Sequence, residues 1–234
     1  MIDTGAEGEV RIDSGTAASI GLRKHSSVLS NDGTESTRIM NKFILDSLKI
    51  GKLTFKKVEA YSRNYNVNEL KRGYRIDGII GFNLLKDYLL KLDYKTNIVT
   101  ISTGILPDAD NMTILNYTAP SGTPIIDVDI GPLKLSADID SGDQEGISLP
   151  KWIVDLVPAD TVPKKIGRGS SLSNTFIIYE VTANTTLRLG KYYFFNPVIT
   201  YTTVFDNLNL GSAWLNNFSV TFDQKNKRVE FLKN

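Results

Sequence analysis

The 234-residue sequence contains no cysteine and a single histidine, His25. Without cysteine there are no disulfides, thiolate metal sites or thiol nucleophiles. One histidine rules out a His-rich metal site, and a serine triad would have to be built on His25. The Gly-x-Ser-x-Gly elbow that such triads often use is also missing. His25 lies in a polar stretch, as surface histidines do. No charge sign dominates: 27 Lys and Arg against 26 Asp and Glu leave a net charge of +1. That balance gives no field to attract nucleic acid or an anionic membrane. Long hydrophobic runs are lacking too. The richest stretch, Leu84 to Leu92, is broken by Lys86, Asp87 and Lys91, so no segment reads as a membrane span. No signal-peptide pattern is visible. The remaining composition, 41% hydrophobic and 23% charged, is that of a globular chain. Its length suits one large or two small domains.

What is present repeats. Ile2-Asp3-Thr4-Gly5 recurs 137 residues later as Ile139-Asp140-Ser141-Gly142. Each motif leads into a short apolar stretch, Glu9 to Ile12 and Gly146 to Leu149, and then a short helix. The first helix reads from Gly15 to Leu22, with Asp13 or Ser14 as its cap. The second reads from Pro150 to Val157, with proline in its first turn. Leu48-Lys49-Ile50-Gly51-Lys52 recurs as Leu187-Arg188-Leu189-Gly190-Lys191, a strand, a Gly turn and a second strand. Gly81 to Asp93 recurs as Gly211 to Asp223. Tyr88, Leu90 and Leu92 match Phe218, Val220 and Phe222 at period two, the alternation of a half-buried strand. Asp93 and Asp223 fall on the solvent phase of those strands and read as structural.

Three matches in the same order predict two homologous, mostly β lobes. We read residues 1–105 as the N-terminal lobe, 106–122 as a Pro- and Gly-containing linker, and 123–234 as the C-terminal lobe. The copies differ at their starts. Ile125 to Leu135, turning at Gly131-Pro132, reads as a hairpin leading into Asp140, whereas only Met1 and Ile2 precede Asp3. The first lobe is therefore expected to lack its leading hairpin, and a neighbouring chain is one way to supply the missing edge.

Two pseudo-symmetric lobes would bring the two Asp turns together at their interface. Gly5 and Gly142 permit close backbone approach, and the hydroxyls of Thr4 and Ser141 can bridge to the opposite loop. Two adjacent carboxylates cannot both ionise cheaply, so one keeps its proton. The ionised member can then activate a water while the protonated member polarises a carbonyl, which is general acid–base hydrolysis. Carboxylate pairs also serve glycosidases, at separations of about 5 Å or more; facing turns predict a closer approach.

Ile2-Asp3-Thr4-Gly5-Ala6 and Ile139-Asp140-Ser141-Gly142 resemble the active-site motifs of aspartic peptidases. Asp77 to Leu85 is similar to the hydrophobic-hydrophobic-Gly segment of retropepsin-like families. Leu208 to Gly211, with Phe218 to Asp223 and Asn226 to Val229, resembles the C-terminal end of pepsin-like enzymes. The resemblance implies an all-β fold of two pseudo-symmetric acid-protease β-barrel lobes with short helices. It also implies a peptide or protein substrate in a cleft between them, no cofactor and no metal. Asp3 and Asp140 would be the catalytic dyad, supported by Thr4, Gly5, Ser141 and Gly142. A flap would fall within Ser26 to Ile44, tipping near Asn31, Asp32, Gly33 and Thr34, with Lys165 to Ile177 as its counterpart. Family resemblance alone points to a periplasmic or secreted protein; monomer and homodimer both stay open. Asp143 stands where the family has a small residue, and Ser26 to Met40 holds no tyrosine. Both features motivate an alternative, a catalytically inactive peptide-binding module on the same fold.

Other features read as structural. Asp13-Ser14-Gly15 is a third Asp-Ser-Gly and reads as a helix cap. Trp152 and Trp214 read as packing residues. Gly167-Arg168-Gly169 lacks the Lys-Ser or Lys-Thr of a phosphate loop.

Overall fold

A computed structural model describes residues 1–31, 37–65, 75–170 and 175–234. The described residues form three β-sheets and a few short helices, an all-β architecture. No helix among them is long and apolar enough to cross a membrane.

The first sheet has six strands: β1 (Ile2–Asp3), β2 (Val10–Asp13), β3 (Ser26–Asn31), β4 (Thr37–Ile50), β5 (Leu53–Arg63) and β6 (Gly78–Gly81), in the order β1-β6-β2-β5-β4-β3. The β4–β5 hairpin turns at Gly51, whose φ of 55° is the left-handed geometry that glycine accepts freely. Along β5 the alternation buries Val58 and Ala60 against Val10, Ile12 and Phe43. Helix α1 (Ser14–Ser19) follows β2. Its N-cap is Asp13, whose carboxylate accepts from the Gly15 N–H at 3.2 Å, so the third Asp-Ser-Gly is a helix cap.

A shared sheet follows. It takes β7 (Leu89–Asp93), β8 (Ile98–Ser102) and β9 (Ile114–Asn116) from the first part of the chain. β9 lies inside the stretch read from sequence as a linker.

The second large sheet has nine strands: β10 (Ile125–Ile130), β11 (Leu133–Asp140), β12 (Ile147–Ser148), β13 (Lys164–Ser170), β14 (Thr175–Thr182), β15 (Thr186–Leu189), β16 (Tyr192–Phe195), β17 (Val198–Tyr201) and β18 (Asn209–Gly211). Their order is β13-β14-β17-β12-β18-β11-β10-β15-β16. The first six positions, read inward from β13, follow the order of the first sheet from β3 to β1. The expected hairpin at Gly131 is β10–β11. Helix α2 (Lys151–Val154) starts after Pro150. Trp152 on α2 is 56% exposed rather than packed, because its neighbours Ile153 and Val154 take the buried face.

The chain ends with α3 (Ser212–Leu215), β19 (Phe218–Asp223) and β20 (Arg228–Lys233). β19 pairs antiparallel with β7, Val220 opposite Leu92 and Phe222 opposite Leu90. The shared sheet therefore runs β8-β7-β19-β20-β9. It joins the two ends of the chain over a common core of Leu90, Leu92, Phe218, Val220, Phe222 and Phe231. Phe82 meets Phe222 edge-on at 5.1 Å, and Trp214 meets Phe218 at the same distance. Asp223 is not on a solvent face. It is 2% exposed, and its carboxylate accepts from the Leu106 N–H and from the backbone and side chain of Asn226. The segment carrying Leu106 crosses over the strand end and closes it off.

Candidate active site

Asp3 ends β1 and Asp140 ends β11. Each strand lies parallel to the strand that carries the later Gly of its own half: Asp3 is in register with Gly81, and Asp140 with Gly211. After each aspartate the chain turns on itself. The Gly5 N–H donates to Asp3 Oδ1 at 2.9 Å, and the Gly142 N–H to Asp140 Oδ1 at 2.7 Å. The Asp143 N–H adds a second bond to Asp140 Oδ1 at 3.2 Å. These bonds aim both carboxylates toward the junction of the two turns.

The residue after each aspartate ties the turns together. Thr4 is fully buried; its hydroxyl donates to the Ile139 carbonyl at 2.7 Å and accepts from the Ser141 N–H at 2.9 Å. The Ser141 hydroxyl accepts from the Thr4 N–H at 3.0 Å and donates to the Ile2 carbonyl at 3.3 Å. Two reciprocal bonds thus join Thr4 and Ser141, 137 positions apart in sequence, and two more tie each hydroxyl to a carbonyl of the opposite strand. The glycines make room for this. A Cβ on Gly5 would sit 2.3 Å from Asp140 Cγ, and a Cβ on Gly142 would sit 2.3 Å from Asp3 Cγ. Each carboxyl group therefore occupies the space that any other residue would fill in the opposite turn.

The electrostatics follow from that packing. The Asp140 carboxyl is pushed up to about 7, first by burial and then by the charge of Asp3. Burial also raises Asp138 and Asp143, and Asp140 adds to the rise in both. The phenol of Tyr94 is raised by burial and by its exposure to the Asp140 charge.

A cleft of about 980 Å³ opens beside Asp140; Asp3 is not among its lining residues. Asp140, Gly142 and Asp143 form part of its floor, and the β13–β14 hairpin overhangs it with Ile166 to Gly169, Phe176 and Ile178. Glu7 and Ser148 line it further out. A smaller cavity of about 660 Å³, walled by Phe194, Phe195, Val198 and Trp214, touches neither Asp3 nor Asp140.

The structure thus brings together Asp3, Thr4, Gly5, Asp140, Ser141 and Gly142. Of the expected flap tip, Asn31 ends β3, while Asp32, Gly33 and Thr34 lie outside the described residues. Sequence reading missed three groups near the pair. Asp138 shares the face of Asp140 because both lie on β11 two residues apart, a signal the alternation carries. Tyr94 directly follows one of the repeated aspartates. Asn209 enters the cleft from β18 opposite Asp138, and no sequence spacing announces it.

One comparison bears on the first part of the chain. Residues 1–84 match the family model described as aspartyl protease, a span that contains Asp3 but not Asp140. Among solved structures the chain is similar to a retropepsin-like aspartic protease from Rickettsia conorii. The match has a TM-score of 0.41 and 20% identity, over 51% of this chain and 96% of that one. No curated protein matches the chain. Over its first 84 residues the chain is similar to the aspartyl proteases.

Proposed function

We propose that the chain is an aspartic endopeptidase that hydrolyses peptide bonds through a water activated by Asp3 and Asp140. The observation that carries this reading is the reciprocal Thr4–Ser141 lock, which holds two carboxyl groups against each other's glycine turn. Such a pair retains one proton and titrates as a unit. The ionised carboxylate takes a proton from the water as it attacks the scissile carbonyl. The protonated partner donates its proton to the carbonyl oxygen, giving a diol; the first carboxyl then passes the proton it took from water to the leaving amine, while the partner takes a proton back from a diol hydroxyl. Two carboxyl groups sharing one proton are the arrangement of aspartic proteases in general. Each carboxyl group packs against the glycine that follows the other aspartate, a tighter arrangement than the spacing of about 5 Å or more that glycosidases use, which favours peptide over glycosidic hydrolysis.

In this reading residues 1–105 and 123–234 are two copies of one unit, joined through 106–122. The substrate lies extended in the cleft beside the β13–β14 hairpin. Thr4, Gly5, Ser141 and Gly142 hold the dyad and do not touch the reacting atoms. A second reading, peptide binding without hydrolysis, draws on the crowding of Asp140 by Asp138 and Asp143.

The test is digestion of a mixed peptide library from acidic to neutral pH, with Asp140→Asn run in parallel. Cleavage by the wild type alone is the expected result. Tight peptide binding with no cleavage at any pH would move the assignment to the second reading. Cleavage retained by Asp140→Asn would remove the dyad from the mechanism.

A further inference from the structure

The charged side chains that line the cleft beside Asp140 are almost all acidic. Asp138, Asp143, Glu145 and Asp206 face it together with Asp140, and Glu7 stands at its far side. Arg168 is the one basic side chain among its described lining residues. The charge does not cancel locally, although the chain as a whole is close to neutral.

A second observation is independent of charge. Asn209 lines the same cleft and keeps only 7% of its accessible surface. Its amide nitrogen donates to Asp143 Oδ2 at 2.6 Å, which fixes the orientation of the group, since an amide oxygen would repel that carboxylate. The Asn209 oxygen is left buried without a donor. A buried acceptor without a partner is costly, and here it stands beside a carboxylate in an open cleft. What the place lacks is a donor with positive charge. The carboxylates do not converge on a metal ion: among the described residues no three His, Cys, Asp or Glu side chains are grouped to hold one. A guanidinium or ammonium on a flexible side chain fits the breadth of the cleft and supplies several N–H groups at once.

We propose that the β11–β18 side of the cleft is a subsite for a cationic side chain, so that this chain selects peptides carrying arginine or lysine. Asp143 and Asn209 form its floor and Asp138 its wall. This deepens the peptidase reading and rests on the cleft being the substrate site. The two halves of the molecule differ here in kind: the turn after Asp3 continues with buried Ala6, whereas the turn after Asp140 continues with Asp143. Selectivity therefore belongs to the second turn alone.

The test separates binding from turnover. Octapeptides of alanine and leucine carry a single arginine, or its uncharged isostere citrulline, moved one position at a time. Their binding to the wild-type chain is measured by fluorescence anisotropy at pH 7. At one position arginine should bind about tenfold or more tightly than citrulline, the difference expected of charge-assisted over neutral hydrogen bonds. Asp143→Asn and Asp138→Asn should each reduce that ratio at least threefold, by the loss of one charge-assisted partner. Asp138 accepts only the Asn207 side chain in its described hydrogen bonds, so its replacement tests the subsite even if Asp143→Asn disturbs the turn. Asp87→Asn, an exposed carboxylate outside the cleft, should leave the ratio unchanged.

A ratio near one at every position would overturn the subsite. So would an equal reduction by Asp87→Asn, which would mean a general field rather than a local contact. Cleavage of the same peptides reads the dyad separately. Charge-selective binding without cleavage keeps the subsite and removes the peptidase; cleavage without charge preference does the reverse.

Discussion

The two aspartate-bearing sheets share a path and differ in what surrounds it. In both, an Asp strand runs parallel to a Gly strand, which runs antiparallel to a short strand behind it. Beyond Asp3 the first sheet stops: β1 is its edge. Beyond Asp140 the second sheet continues through β10 to β15 and β16. The two sheets also differ in a hairpin. β4 and β5 run unbroken around Gly51, for 14 and 11 residues. The equivalent path in the second sheet is divided, with β14 and β15 on one side and β16 and β17 on the other. Asn196 at φ 47° and Pro197, which lacks an N–H, interrupt the second arm. The outer part then swings across to pair with β10, Asp129 opposite Arg188. The Asp140 carboxyl is raised by burial and by the charge of Asp3. The same turn geometry thus yields two environments for two aspartates.

The sharpest way to break this comparison is to neutralise each aspartate in turn. In the proposed dyad the two act on one water, so unequal environments should not give unequal losses. Asp3→Asn and Asp140→Asn should each reduce peptide cleavage by about a thousandfold or more. At pH 4, where the wild-type Asp140 still holds its proton, the melting temperature of each should stay close to that of the wild type. A large loss in one variant and a small loss in the other, by steady-state kinetics on the same peptide, would mean that the residues do not share the chemistry.

The lock between the turns allows a smaller and more local comparison. Thr4 is fully buried and makes its bonds at 2.7 and 2.9 Å; Ser141 is half-buried and makes its bonds at 3.0 and 3.3 Å. Thr4→Val keeps the shape but strands the Ser141 N–H and the Ile139 carbonyl in a dry place, at about 2 kcal/mol. Ser141→Ala should cost about 1 kcal/mol, because water can reach the groups it frees. Urea denaturation of the two variants measures both. Equal costs would mean that burial does not distinguish the two sides of the lock.

Much of this site is legible in the residues themselves. The Asp-[Thr/Ser]-Gly turns, the Gly51 and Gly190 hairpins, the Gly131 turn and the Asp13 cap each follow from local chemistry. What is missing depends on which elements become neighbours. Alternation along β7 and β19 marks their buried faces, but it does not say that these strands pair with one another across the length of the chain. Asp223 lies on the polar phase of its strand and is nevertheless enclosed, because the Leu106 segment folds over it. Trp152 is exposed because its helix is too short to bury more than one face. Asn209 reaches the cleft only through the β11–β18 pairing, which places it beside Asp138 and Asp143.

The subtlest expected difference between the two aspartates is in the pH dependence of stability. In the folded chain the Asp140 carboxyl holds its proton up to about 7, against an ordinary value of 3.8. The folded state therefore binds more protons than the unfolded state between these limits. The stability this group contributes is complete below about 4 and is lost as pH rises toward about 7. Asp138 and Asp143 are raised as well and act in the same sense, whereas Asp93 and Asp223 are lowered and contribute stability that is lost on acidification. Asp140→Asn removes the first effect and also the part of the rise at Asp138 and Asp143 that the Asp140 charge causes. By urea denaturation, its stability relative to the wild type should improve steadily between pH 4 and pH 7. Asp3→Asn tests the cause: it deletes the neighbouring charge but leaves the burial, so Asp140 should release its proton at lower pH, and the loss of stability should begin at the same pH, end earlier and be smaller. Parallel pH profiles for the wild type and both variants would mean that Asp140 holds no extra proton when folded, and the contrast between the two turns would reduce to strand count alone.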